Sequence, residues 1–418
     1  MSKPVIFLDT LGCKVNQYES QAMRELLARQ GFTFSLEVKD ADVFVLNSCI
    51  VTESSEQECL LKIKNAKEKN SRLKIVAAGC LADSGRRAEG AEQYITNADK
   101  PKIAALLAGE ERPFENLKIS GISGQARAIV KIQDGCDNFC SYCVVPNLRG
   151  KVKSRDLKEI FEEIKTLTDA GCKEIELVGK NIGCYGEDLD TGLNLSSVLS
   201  VAAGAVGDGR IRLGSIEPEH VTDDLLDVME DSKHVCGHLH IPLQSGDDTI
   251  LRLMNRNYST GSFRKTVNKA RGLLKELCVT TDLIAGFPGE TEDNFRQTAD
   301  FAEELAFAGA NIFAYSDRPG TGAAGLGHKV TDGVKLERAE RLSAACAVSA
   351  EKYSDSFIGK EAEVLLLKAL EGKKGLYEGL SANNIRVFLE NTGMNLVNTI
   401  VKVRLEKANG RMIGRVVQ

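Results

Sequence analysis

The chain has no tryptophan among its 418 residues, and no uncharged apolar run approaches the roughly 18 to 20 residues that a bilayer-spanning helix needs. The opening stretch, MSKPVIFLDTLGCK, lacks a long apolar core and carries Asp9, so neither a signal peptide nor an anchor is expected, and the expected compartment is the cytoplasm. Low-complexity tracts are absent, as is any internal repeat beyond βα units. Hydrophobic residues at 43% and charged residues at 27% exclude a disordered chain, a collagen and a disulfide mini-scaffold. The length is too great for one ordinary domain and suggests two or three. Twelve cysteines in a reducing compartment point to metal ligands or buried thiols rather than disulfides.

The net charge of −5 argues against a general nucleic-acid binder. Its distribution is uneven. From Ile358 onward ten Lys and Arg face six Glu, a local net of +4 that leaves −9 for the remainder. A basic appendage on an acidic body fits this asymmetry, and so does a solvated face.

Three rhythms divide the chain. Residues 1–112 alternate short apolar runs (VIFL, VFVLN, KIVAAG) with helical patterns, which predicts a parallel α/β sheet. The first helix is expected to begin at an Asn16 N-cap with Glu19 three residues on. Residues 113–127 read as a linker, the aperiodic stretch Gly109 to Gly124 holding Pro113 and two further glycines. From 128 to 357, six strand candidates (AIVKI, EIELV, IRLGS, HLHIPL, VTTDLIA, NIFAYS) alternate with helices, predicting a partial (βα)6 barrel rather than the full eight units. Residues 358–418 change period again. Alternation at Val401, Val403 and Leu405, with turns at Asn383-Asn384, Asn391-Thr392-Gly393 and Asn409-Gly410, predicts a small antiparallel β-barrel.

Two cysteine groups emerge. Cys136, Cys140 and Cys143 stand in KIQDGCDNFCSYCVVP directly after the first barrel strand. Three thiolates on one loop without a fourth cysteine can hold an iron-sulfur cluster with one iron open, whereas structural zinc wants four ligands. Cys13, Cys49 and Cys80 are far apart in sequence, yet each follows a predicted parallel strand. Those strand ends face one crevice, so the three should converge. Cys59, Cys172, Cys184, Cys236, Cys278 and Cys346 read as buried thiols, with Cys184 the least certain. His238 and His240 share a strand face and read as packing residues. Beyond the barrel strands, Gly179, Glu217, Gln244, Ser245 and the turn Gly286–Glu290 lie on the C-terminal rim, where ligands bind.

The CxxxCxxC loop resembles that of the radical S-adenosylmethionine superfamily. Together with TLGCKVNQYES, SIEPEHV, HLHIPLQSG and TDLIAGFPGETE, the three-plus-three cysteine arrangement is similar to the methylthiotransferases of that superfamily, over nearly the whole chain. The resemblance implies two [4Fe-4S] clusters: one at Cys136, Cys140 and Cys143 that cleaves S-adenosylmethionine to a 5′-deoxyadenosyl radical, and an auxiliary one at Cys13, Cys49 and Cys80. It also implies a TRAM-like RNA-binding barrel at the C-terminus, tRNA as partner, and an electron donor such as a flavodoxin or ferredoxin. Gly179, Glu217, Gln244 and Ser245 become candidate S-adenosylmethionine or substrate contacts. The opening motif looks most like the branch acting on N6-threonylcarbamoyladenosine at tRNA position 37, next to the anticodon. Arg149 and Arg318 are then candidates for holding the threonylcarbamoyl carboxylate. The alternatives are isopentenyladenosine tRNA, a ribosomal protein, or a non-enzymatic iron-sulfur RNA-binding protein, against which an open iron argues.

Overall fold

A computed structural model describes residues 3–109, 115–121, 126–370, 375–390 and 396–417. Pro113, Gly124 and the Asn391-Thr392-Gly393 turn lie outside them. The chain forms two compact units, the first made of Met1–Ser120, Asp134–Lys151 and Ser316–Ala324, the second of Gly121–Gln133, Val152–Tyr315 and Gly325–Gln418.

In the first unit five parallel strands, β1 (Val5–Thr10), β2 (Thr33–Phe34), β3 (Val43–Ser48), β4 (Lys74–Gly79) and β5 (Gln93–Ile95), lie in the order β2-β1-β3-β4-β5. This is the doubly wound order of flavodoxin-like sheets. The three apolar runs of the sequence are β1, β3 and β4; β2 and β5 are too short to show a period. Every residue of β3 is buried, as a central strand covered on both faces requires. Helix α1 runs Lys14–Arg29 with Cys13, not Asn16, at its N-cap position. The predicted cap is displaced because Asn16 is buried and its Nδ2 donates to the carbonyls of Leu11 (2.8 Å) and Ser48 (2.9 Å). Helix α2 spans Glu53–Lys69, capped by Thr52. Part of the expected linker packs back on α1: Tyr18 donates to the Leu117 carbonyl, and Ser120 donates to Glu25.

The second unit contains six parallel strands, β6 (Arg127–Lys131), β7 (Glu174–Val178), β8 (Arg210–Leu213), β9 (His238–His240), β10 (Cys278–Ala285) and β11 (Gly309–Ala314). They form two three-stranded sheets joined by the parallel bridges Ile211–Val235 and Ser215–His240. All six predicted barrel strands are present. The amphipathic helix Leu157–Asp169, with Ile160, Ile164 and Leu167 buried, shows how the intervening segments cover the sheet.

The last strands, β12 (Glu361–Ala369), β13 (Leu376–Ser381), β14 (Arg386–Glu390), β15 (Ile400–Ala408) and β16 (Arg411–Val416), close a barrel in the order β12-β13-β14-β16-β15. It is not wholly antiparallel: the closing pair, β14 with β16, is parallel. The β15–β16 turn places Asn409 at φ +52° and Gly410 at +69°, as a two-residue hairpin loop demands. Buried Glu174 accepts from Arg210 (2.6 Å) and Arg212 (2.9 Å) and pairs with Arg127 (2.7 Å). Arg210 and Arg212 also donate to the carbonyls of Leu380 and Ser381, tying this small barrel to β7 and β8.

Candidate metal centres and active site

Cys13, Cys49 and Cys80 follow the C-terminal ends of three adjacent strands, β1, β3 and β4. Two glycines let their loops close in. Gly12 (φ +95°) lies so near Cys49 that an added Cβ would come within 2.7 Å of its Sγ. At Gly79 (φ +85°) a Cβ would meet Asn47 Oδ1 at 2.9 Å and Lys100 Nζ at 3.1 Å. A fourth thiol is adjacent but chemically distinct: Cys59 on α2 contacts the Cys49 backbone, and burial pushes it up to about 12. It stays a protonated thiol at neutral pH.

Charge is built in beside the triad. Lys100 is fully buried and ion-paired with Glu19; burial lowers its pKa against the opposing pull of Glu19. Arg149, its side chain 1% exposed, binds Glu19 (2.8 Å) and Asp134 (2.9 Å) and donates to Asn16 Oδ1 at 2.6 Å. Burial would lower Arg149, but the two carboxylates outweigh it and hold the charge in place. Both cations feel Cys80 electrostatically. Three cysteines with buried cations beside them form a donor set that fits a thiolate-ligated iron-sulfur cluster.

The second cysteine loop belongs to the same unit. Gly135 (φ +70°) cannot carry a side chain, since a Cβ would sit 1.8 Å from the Lys151 carbonyl oxygen. The Cys136 amide donates to Gly150 O, and that of Cys143 to Cys140 O. Phe139 takes φ +47° and is 60% exposed. All three cysteines are half-buried, as an accessible cluster requires. Behind them, helix α3 (Val145–Arg149) and Val144 place Val144 and Leu148 in one core with Phe44, Ile63, Cys80 and Leu81. Residues 316–324 brace the loop: Ala323 N donates to Ser141 O (2.7 Å) and Gly320 O accepts from Asn147 Nδ2 (3.2 Å).

The two candidate substrate arginines each form ion pairs within the first unit. Arg149 is neutralised by Glu19 and Asp134, and Arg318, 4% exposed, is paired with Glu56. Burial raises Glu56, but Arg318 and Arg86 overcome it and lower the carboxyl below its ordinary value.

In the second unit the rim candidates all follow barrel strands but do different things. Gly179, just past β7, sits where a Cβ would press within 2.7 Å of Gln133 Oε1, which also accepts the amides of Lys180 and Asn181. Glu217, past β8, has its pKa raised by burial against the pull of Arg256, its ion-pair partner. Gln244 adopts φ +64° and exchanges backbone hydrogen bonds with Asp282 and Ile284. The hydroxyl of fully buried Ser245 is shared with Thr298 and the Asp247 amide, a packing role. Glu290 closes the GFPGE turn by accepting Gly286 N and pairing with Arg338. His238 and His240 share Thr280 Oγ1, each at 2.9 Å.

Sequence reasoning missed Lys100 and Asp134, which no spacing marks, and took Asn16 and Glu19 for a capping box.

Residues 130–302 match the radical SAM superfamily, and residues 5–97 match uncharacterized protein family UPF0004. The chain is 34% identical to the threonylcarbamoyladenosine tRNA methylthiotransferase MtaB of Bacillus subtilis, covering 96% of this chain and 93% of that one. It is 30% identical to a tRNA-2-methylthio-N(6)-dimethylallyladenosine synthase of Desulfitobacterium hafniense, covering 95% and 94%. Among solved structures, the radical S-adenosylmethionine methyltransferase TsrM of Kitasatospora setae superposes with a TM-score of 0.56 at 13% identity over 77% of each chain, a likeness of fold. Partial barrel and cysteine loop thus define a radical S-adenosylmethionine protein, a class that carries a [4Fe-4S] cluster. Within it, the chain belongs to the tRNA methylthiotransferase family. Among the described residues, no helix is long and apolar enough to cross a membrane.

Proposed function

We propose that this enzyme replaces the C2 hydrogen of N6-threonylcarbamoyladenosine, 3′-adjacent to the anticodon at position 37, with a methylthio group. The observation that carries the reading is the pair of cysteine triads in one compact unit, the first opening on TLGCKVNQYES. Clusters at the two triads would supply a 5′-deoxyadenosyl radical from one S-adenosylmethionine and a sulfur that a second one methylates. The chain's residues do the rest. Gly135 and the 316–324 brace hold the 136–143 loop in shape. Glu19, Arg149 and Lys100 fix the triads against one core and keep positive charge beside Cys80. Gly179 and Glu217 mark the rim of the barrel, and the C-terminal barrel grips tRNA, mainly through phosphates. The electron donor is a flavodoxin- or ferredoxin-type carrier.

The relatives named for dimethylallyladenosine favour a second substrate reading. Purified enzyme offered anticodon stem-loops bearing threonylcarbamoyladenosine, isopentenyladenosine or plain adenosine, with product read by mass spectrometry, separates them. Preference for the first is expected, and preference for the isopentenyl base would overturn the substrate assignment. Anaerobically reconstituted protein should carry about eight irons per chain and retain about four when either triad is replaced by alanine.

A further inference from the structure

Outside both triads, on the second unit, Cys184, Glu187 and His220 bring one ligand atom each to within 4.8 Å of one another. The sequence separates them onto two loops, Cys184 and Glu187 beyond β7 and His220 beyond β8. Parallel strands bring those loops together because successive β-strand ends lie side by side. The close approach depends on Gly183, where an added Cβ would fall 2.4 Å from His220 Cγ and 2.5 Å from its Cβ. With glycine there, the imidazole packs against the turn Ile182–Cys184 and directs Nε2 to Cys184 Sγ at 3.5 Å. A second side chain is aimed at the same sulfur: Asn181 Nδ2 donates to Cys184 Sγ at 3.0 Å. A donated hydrogen bond stabilises a thiolate, and this is the kind of outer partner that orients a metal ligand. Cys184 is buried, His220 half-buried and Glu187 exposed.

A thiolate, an imidazole and a carboxylate are the three donor types that zinc accepts, and three protein ligands leave a fourth position open. Purely oxygen-seeking cations such as magnesium and calcium would not select this set. We infer that Cys184, Glu187 and His220 form a zinc(II)-class site on the rim of the partial barrel, additional to the iron-sulfur sites. Binding joins zinc to Cys184 Sγ and His220 Nε2, and the Cys184 thiol proton leaves to solvent. The fourth position is left for a water or an oxygen or nitrogen donor.

The test uses full-length protein with both clusters loaded, equilibrated with zinc sulfate against a chromophoric chelator and then desalted. Metal analysis should give about one zinc per chain beyond the iron. X-ray absorption at the zinc edge should show one sulfur with nitrogen and oxygen neighbours, whereas three sulfurs would mean that zinc had entered a cluster triad and would overturn the proposal. Cys184→Ser and His220→Gln should each abolish retention. Glu187→Gln, a surface change that leaves the fold in place, should weaken binding by roughly ten- to a hundredfold, and replacing Cys13, Cys49 and Cys80 by alanine should leave zinc bound. Retention in the Cys184→Ser/His220→Gln double variant, or no zinc on the parent protein at micromolar metal, would refute the site.

Discussion

Lys100→Met removes a fully buried positive charge from beside Cys80 and leaves nearly everything else in place, since methionine keeps the length and apolar character of the stem. Lys100 Nζ lies against the Gly79 peptide, one residue before Cys80. In the parent protein Lys100 and Arg149 together balance Glu19 and Asp134; without Lys100 this set carries one uncompensated negative charge. Over a separation of about 8 Å at an effective dielectric near 20, one charge is worth about 2 kcal/mol, or about 90 mV for a one-electron couple. Reduction adds negative charge, so losing the cation makes it harder and the potential of a cluster at Cys13, Cys49 and Cys80 should fall by that order. The clean measurement is spectroelectrochemistry on protein in which Cys136, Cys140 and Cys143 are alanine, so that one cluster titrates. With no tryptophan, its visible bands stand high against the 280 nm absorption. Breaking a buried ion pair costs about 3 to 5 kcal/mol; because Arg149 still neutralises Glu19, the loss in denaturant stability should sit at the low end. Lys100→Arg, which keeps the charge, should hold the potential near the parent's. A potential unchanged within about 20 mV in Lys100→Met, or one that rises, would show that the buried charge does not act on the cluster.

Gly135→Ala should destroy the 136–143 loop, because its Cβ has no space against the Lys151 carbonyl; reconstituted iron should drop to about four per chain, and S-adenosylmethionine cleavage should cease. Glu174→Gln leaves Arg127, Arg210 and Arg212 short of a carboxylate and should cost the second unit about 3 to 5 kcal/mol in urea unfolding at pH 7. Burial would raise Glu174, but the three arginines hold it well below the usual carboxylate range. Its stabilisation is therefore complete above the unfolded value of about 4.3 and is lost as pH falls below it, so the variant should lose less stability than the parent between pH 5 and pH 2. Lys402 and Arg404, exposed and paired with Glu361, are weakly held there; changing both to Gln should flatten the salt dependence of tRNA binding by about one to two phosphate equivalents, measured by filter binding.

The elements with a strong period were legible. The apolar runs that became β1, β3 and β4, and all six barrel strands, could be read because each alternates with a helical segment. That Cys13, Cys49 and Cys80 each follow one of three adjacent strands could be read because a parallel sheet brings the ends of its strands together whatever their separation in sequence. Two-residue β2 and three-residue β5 have no period to show. Asn16 and Glu19 misled because the residue types that cap a helix are also those that bridge a buried crevice, and only the fold reveals that Leu11, Ser48, Arg149 and Lys100 surround them. Local sequence likewise gives no sign that the parallel pair β14–β16 closes the C-terminal barrel, since that contact depends on where five strands end up.

One consequence concerns how two distant cysteine sets keep a fixed relation. The 136–143 loop follows a barrel strand in sequence, yet it packs with the first unit: Val144 and Leu148 share a core with Cys80 and Leu81. Arg149 then joins the loop's own Asp134 to Asn16 and Glu19, on the helix that begins immediately after Cys13. Apolar contact sets the distance between the sets, and the planar guanidinium sets the orientation, because a five-donor fork satisfies two carboxylates and an amide oxygen only in a narrow range of geometries. Lysine at 149 would keep the charge and lose that constraint. The deep burial of the Arg149 side chain thus has a mechanical meaning: it is a spacer between two cysteine sets, and it pairs with the chain's own carboxylates.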